Sequence, residues 1–253
     1  MRRMSLMAFA ALWAASLAFP AWGAEQQTFE RTIPLAPGGS FSLQNVNGPV
    51  SVTGWDRDAV VVRAVKTSSQ AGADLSQVQI NVAASGQSVS ITTTYPQEEA
   101  GVAVAYSVQV PRGALLKQVS TVNGAVQVSG VEGAGELHSV NGNIEVSDCV
   151  GGLSARTING DIHLAFAKLL APRTLNVETV NGSIVLALPA DASALLDARN
   201  LNGNFHSELP LLVTGAYGSR EIQGRLGSGS VAVPVLLHTV NGAIRVVALP
   251  KRT

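Results

Sequence analysis

The sequence predicts an all-β fold, a parallel β-helix-like solenoid, and three observations carry that expectation. A four-residue unit, Thr-Val-Asn-Gly, stands at 121–124 and returns in close variants at 139–142, 157–160, 179–182, 200–203 and 239–242. Its asparagines from Asn123 to Asn202 are 18, 18, 22 and 21 residues apart. Two residues past each glycine of the unit lies a branched or aromatic apolar side chain: Val126, Ile144, Ile162, Ile184, Phe205 and Ile244 in turn. A period near 20 residues belongs to repeats that cannot bury an apolar face alone and stack on their neighbours to do so.

Each unit reads as two short strands meeting at Asn-Gly. Around Asn141, the inward positions are Leu137 and Ser139 before the pair and Ile144 and Val146 after it; the next unit places Ala155, Thr157, Ile162 and Leu164 there. Asn-Gly also favours a two-residue type I′ hairpin, which would give an antiparallel β-sandwich or meander, the competing architecture. Pro49, directly after Asn47 and Gly48, argues against the hairpin, because the residue there would donate the N–H that closes the turn and proline has none. Near-constant spacing argues the same way. The pairs Asn47/Gly48, Asn123/Gly124, Asn141/Gly142, Asn159/Gly160, Asn181/Gly182, Asn202/Gly203 and Asn241/Gly242 are therefore assigned as corners. Glycine is expected to supply a left-handed residue there and asparagine to stack into an amide ladder. The step from Asn202 to Asn241 is 39 residues, about two periods, so one copy is expected to have lost its motif within Gly215–Gly229.

Taken in order, the chain opens with Arg2 and Arg3, an apolar run from Met4 to Phe19, Pro20, and the small residues Ala21 and Gly23. This is the pattern of a signal peptide cleaved after Gly23. The run is short for a membrane span, which needs about 20 apolar residues. The product is expected to be periplasmic or secreted, with no transmembrane segment in the mature chain. Residues 24–253 read as a single β-repeat domain, irregular over 24–118 and regular over 119–253. In the irregular part, period-two patterns from Thr28, Phe41, Val50, Val60, Val78, Val89 and Val102 are separated by turn residues such as Pro37-Gly38-Gly39 and Asp56-Arg57-Asp58. Only 69–77 leaves room for a short helix. The last strand, through Arg245 and Val247, is followed by Pro250, Lys251 and Arg252, residues that blunt an open sheet edge.

Residues 1–23 hold two arginines and no acid, so the remainder carries 15 basic against 17 acidic residues. That balance supplies no field for nucleic acid or an anionic membrane. Charged residues are 13% of the chain, against about 25% in ordinary globular proteins, a sparseness that suits stacked β-structure. Cys149 is the only cysteine, so no intrachain disulfide forms, and it is expected to be buried as a small apolar residue.

The order of several short motifs carries a resemblance. Tyr106-Ser-Val-Gln-Val-Pro111, the serial Thr-Val-Asn-Gly units, Leu188-Pro189-Ala-Asp-Ala-Ser193 leading to Asn202 and Gly203, and Gly227-Ser-Gly229 before Thr239-Val-Asn-Gly-Ala-Ile244 follow one another. Across Phe41 to Val247 the sequence resembles the bacterial exported β-strand-repeat family known as the putative adhesins, a domain of unknown function. The resemblance implies a β-helical protein of the cell envelope and brings no catalytic motif.

Side chains that alternate with the inward columns face out. Three residues before each asparagine stand Gln44, Ser120, His138, Arg156, Glu178, Arg199 and His238; four residues after it stand Ser51, Gln127, Glu145, His163, Val185, His206 and Arg245. Stacked rungs would set each series in a ladder at ~4.8 Å spacing. All four histidines of the chain lie in these columns, so His138, Arg156, His163, Arg199, His206, His238 and Arg245 are the candidate binding residues. No Cys cluster or His-Glu-x-x-His spacing points to a metal, nothing calls for a cofactor, and no paired carboxylates or nucleophile elbow point to an enzyme. The leading reading is a non-catalytic exported scaffold that binds an envelope protein or glycan through its solenoid surface. The competing readings are a structural or envelope-stress signalling accessory without a ligand of its own, and a glycan-active β-helix enzyme.

Overall fold

The computed structural model describes residues 26–68, 74–96, 101–170, 173–218, 220–228 and 232–249. The expected leader and its cleavage site lie outside the described residues. In chain order the strands are β1 (Gln26–Pro34), β2 (Ser40–Gln44), β3 (Val50–Trp55), β4 (Ala59–Ser68), β5 (Gln79–Ser85), β6 (Ser88–Thr94) and β7 (Val102–Pro111). There follow β8 (Leu115–Asn123), β9 (Val126–Ser129), β10 (Gly135–Asn141), β11 (Ile144–Val150), β12 (Leu153–Asn159), β13 (Ile162–Lys168), β14 (Leu175–Asn181) and β15 (Ile184–Leu188). The series closes with β16 (Ala194–Asn202), β17 (Phe205–Ser207), β18 (Leu211–Tyr217), β19 (Glu221–Leu226), β20 (Val233–Asn241) and β21 (Ile244–Ala248). The only helical turn among the described residues is a 3₁₀ turn at Leu75–Gln77, capped by Asp74, whose carboxylate accepts from Ser76 N at 2.9 Å.

Two open sheets share one apolar core. The ten-stranded sheet runs β1-β4-β7-β3-β9-β11-β13-β15-β21-β17, and the eleven-stranded sheet runs β18-β19-β16-β20-β14-β12-β10-β8-β2-β6-β5. From β7 to β17 and from β6 to β16 every neighbouring pair is parallel. Each rung is one strand from either sheet, joined at Asn-Gly in every rung but β6–β7, and the asparagines pair rung to rung. The fold is therefore the parallel solenoid, and the hairpin alternative survives only in the caps. Antiparallel pairing is confined to β1-β4-β7, β5-β6 and β16-β19-β18.

Two features depart from the sequence reading. The stacking order is not the chain order: the β2–β3 rung lies between β6–β7 and β8–β9, and the β20–β21 rung lies between β14–β15 and β16–β17. The 39-residue step is consequently not a lost copy. Residues 211–226 form the antiparallel hairpin β18–β19 on the flank of β16, and the chain then returns to insert its last rung further inside. Much of the stretch before 118 is also regular, since β2 and β3 form a full rung and β6 and β7 form another.

The core follows from the alternation. Val50, Val126, Ile144, Ile162, Ile184 and Ile244 are fully buried from one sheet, facing Leu43, Val119, Leu137, Val177 and Leu237 from the other. Each such side chain contributes roughly 1.5–3 kcal/mol on burial. Between Val146 and Cys149 the pairing with β13 slips at a bulge where Asp148 adopts φ 53°. The extra residue turns Cys149 inward, where burial pushes its thiol pKa up. At the β7 end, Lys66 stands on the core-facing side of β4, its Nζ donating to Gln27 Oε1 at 2.9 Å and Leu75 O at 3.2 Å. On the edge strand β1, Arg31 stands opposite Val62 in register and is exposed, a charge on the edge that discourages pairing with another molecule.

Candidate functional site

The corner is built from three parallel ladders. Outermost, each asparagine amide donates to the oxygen of the asparagine on the preceding rung: Asn123 to Asn47, Asn141 to Asn123, Asn159 to Asn141, Asn181 to Asn159, Asn241 to Asn181 and Asn202 to Asn241, all at 2.8–2.9 Å. Just inside, the hydroxyls of Thr121, Ser139, Thr157, Thr179 and Thr239 donate to the carbonyls of Gly48, Gly124, Gly142, Gly160 and Gly182 at 2.8–3.0 Å. Between them runs a column of glycines whose reason differs from the one expected. Gly124, Gly142, Gly160, Gly182 and Gly203 have no left-handed φ. Glycine is required there because a Cβ would run into the carbonyl oxygen of the neighbouring rung's glycine. Close approach of backbones selects the residue at these five corners, while Gly48 and Gly242, with φ 117° and 159°, have the positive φ that was expected.

The residue between the hydroxyl and the asparagine has nowhere to go but out. Val122, Val140, Ile158, Val180, Val240 and Leu201 thus form an apolar ridge on the outer face of the eleven-stranded sheet, about 24 Å long at ~4.8 Å per rung. Ile158 and Leu201 are 44% and 49% exposed, too open for core residues. The sequence reading overlooked this ridge. The signal was there in the middle position of the repeated unit, which is branched and aliphatic in every copy although strand alternation turns it away from the core.

The seven candidate binding residues are divided between the two sheets. On the eleven-stranded sheet, next to the ridge, the spatial order is Ser120, His138, Arg156, Glu178, His238, Arg199. On the other sheet it is Gln127, Glu145, His163, Val185, Arg245, His206. The Asn-Gly corner carries the chain from one sheet to the other, so residues before and after it cannot share a face. Arg156 pairs with Glu178 at 2.7 Å, and Arg199 with Asp197 at 3.1 Å and Glu221 at 3.2 Å. Those guanidiniums are already held by carboxylates. No group of three or more His, Cys, Asp or Glu side chains able to hold a metal ion occurs among the described residues.

No helix among the described residues is long and apolar enough to cross a membrane. None of the curated proteins matches the chain. Among solved structures, a "putative cell adhesion protein" from Clostridium sporogenes ATCC 15579 aligns with 11% identity over 88% of this chain and 100% of its own, with a TM-score of 0.48. A "putative adhesin" from Bacteroides fragilis NCTC 9343 aligns with 11% identity over 88% of this chain and 97% of its own, with a TM-score of 0.41. The family model described as Toastrack DUF4097 matches residues 13–247, nearly the whole chain. With its rungs, corners and core accounted for, this solenoid belongs to the Toastrack DUF4097 family.

Proposed function

We propose that this chain is an exported, non-catalytic, adhesin-like protein of the cell envelope that binds a protein partner along the outer face of its eleven-stranded sheet. The observation that carries the reading is the ridge from Val122 to Leu201, a line of branched aliphatic side chains in which Val122, Ile158, Val180 and Leu201 are exposed and Val140 and Val240 half-buried between them. Exposed apolar surface arranged in one line marks a contact surface. Aliphatic side chains pack against protein, whereas a glycan platform would present aromatic rings, and the ridge has none. The column of His138, Arg156, Glu178, His238 and Arg199 beside it supplies the polar rim of such an interface. The leader-like residues 1–23 support export.

Binding of the purified protein to immobilised envelope fractions tests this. The double variant Ile158→Asp/Val180→Asp is expected to lose saturable binding while keeping its β-sheet circular dichroism, and His163→Ala/Arg245→Ala, on the other sheet, to keep both. Protease treatment of the fraction should abolish binding. Survival of binding after protease, with loss after periodate, would transfer the reading to a glycan. No saturable binding by the wild type would leave an accessory scaffold without a ligand of its own.

A further inference from the structure

The two sheets end unevenly. Beyond the rung of β16 and β17, the eleven-stranded sheet continues for two more strands, β19 and β18, whereas the ten-stranded sheet stops at β17. β17 is thus a free parallel edge. Asn204 O accepts from Ile244 N at 2.9 Å, and Glu208 N donates to Val246 O at 2.9 Å. Alternate residues of a parallel strand bond to opposite sides. The N–H and C=O groups of Phe205 and Ser207 therefore point away from β21, to a side where no strand of the described residues follows.

The corner ladders stop at the same place. Asn202 Nδ2 donates to Asn241 Oδ1 at 2.8 Å, so Asn202 Oδ1 is the last acceptor of the amide ladder. On the earlier rungs each glycine N–H donates to the next rung's asparagine carbonyl, as Gly182 does to Asn241 at 2.9 Å and Gly242 to Asn202 at 3.0 Å. Gly203 N–H has no next rung. Val213 lies on the core-facing side of β18, level with Gly224 and buried Leu196, yet is 39% exposed. Opposite this overhang, no strand of the ten-stranded sheet covers it.

We propose that this edge is a docking site for an extended strand of another protein, added parallel to β17 and carrying a hydroxyl-x-Asn-Gly corner followed two residues later by a branched apolar side chain. Six successive rung interfaces within the molecule use the same asparagine and glycine groups, five of them the hydroxyl as well, and they define what the seventh would accept. The incoming asparagine amide donates to Asn202 Oδ1 and its carbonyl accepts from Gly203 N–H. The incoming hydroxyl donates to Gly203 O, and the strand beyond the corner pairs with Phe205 and Ser207. Its branched apolar residue covers Val213. A folded second copy cannot supply this strand by stacking head to tail, because its other end is covered by the antiparallel strands β4, β1 and β5. The occupant is an unpaired segment. This site is separate from the ridge and does not depend on it.

The test is a titration of the ¹⁵N-labelled protein with a synthetic peptide, Glu-Thr-Val-Asn-Gly-Ser-Ile-Val-Leu, followed by amide chemical shifts. Saturable shifts at Gly203, Phe205 and Ser207 are expected. Replacing the peptide's Asn and Gly by Ala should weaken binding at least about tenfold, the equivalent of 1.4 kcal/mol. The chain variant Ser207→Pro removes one outward N–H at an edge where proline breaks no ladder bond and loses only the Ser207 Oγ bond to Leu209 O at 2.8 Å, so it should keep the fold and bind as weakly. Absence of shifts, shifts centred elsewhere, or shifts indifferent to both changes would overturn the proposal.

Discussion

Asn200 and Thr239 are register partners on adjacent strands, yet only one of them is satisfied. Thr239 Oγ1 donates to Gly182 O at 2.8 Å, whereas both amide atoms of Asn200, a residue only 4% exposed, lack a hydrogen-bond partner. On five other rungs a threonine or serine hydroxyl bridges to the glycine carbonyl below, and on the β2–β3 rung the amide of Asn45 donates to Val104 O at 2.9 Å. Asn200→Thr should restore that bridge, to Gly242 O, and remove a buried unpaired amide. A gain of about 1 kcal/mol is expected, seen as a rise of roughly 2–4 °C in thermal midpoint for a chain of this size. An unchanged or lower midpoint would mean that the amide is satisfied by water.

The glycine column makes a sharper prediction. A Cβ on Gly142 meets the Gly124 carbonyl, while one on Gly86, in the β5–β6 turn, meets nothing within 4 Å. Gly142→Ala should cost about 3 kcal/mol, the upper part of the range for overpacking, and Gly86→Ala should leave stability unchanged to within about 0.5 kcal/mol. Urea midpoints of the two variants settle it.

Stability should also fall on the alkaline side. Burial pushes the Tyr106 phenol up to about 12, with the Thr93 hydroxyl 2.6 Å away partly offsetting it. Below pH 10, the ordinary phenol value, both folded and unfolded chains keep the proton and the contribution is intact. Between pH 10 and 12 the unfolded chain ionises first, so stability is lost as pH rises, by about 3 kcal/mol at most. Tyr106→Phe should flatten the curve of urea midpoint against pH over that interval; an equally steep curve would assign the loss to other groups.

Cys149 gives a direct probe of core integrity. Buried behind the Asp148 bulge, with its thiol pKa raised by desolvation, it should not react with a thiol reagent at pH 8 in the native protein and should react stoichiometrically in denaturant. Rapid native reaction would place β11 outside the stable core.

Much of this architecture was legible in the residues and the remainder was not, for physical reasons. Spacing between Asn123 and Asn202 encodes where each rung bends, and alternation encodes which side chains point in, so the core and both outward columns followed from local pattern. Which rung lies on which is another matter. The corners of Asn47, Asn202 and Asn241 present the same groups as their neighbours, so nothing local distinguishes Asn241 beside Asn181 from Asn202 beside it. Glycine's role was misassigned at five of the seven corners, all but Gly48 and Gly242, because a close approach between rungs leaves no mark on sequence distinct from a positive-φ turn. The candidate binding residues were grouped by ladder logic that ignored the change of sheet at each corner, which separates Arg156 from His163.

The inserted position of β20 and β21 sets an order of events. The solenoid cannot lengthen one rung at a time as the chain emerges, because β16 and β17 rest on a rung that is synthesised after them. Until residues 233–248 arrive, β14 and β15 end in an open edge and the segment 194–226 has no surface to stack on. Assembly of that half must wait for residues 233–248, and pairings so distant along the chain form slowly. β20 and β21 act as a wedge between rungs made before them, so their loss would release two segments at once.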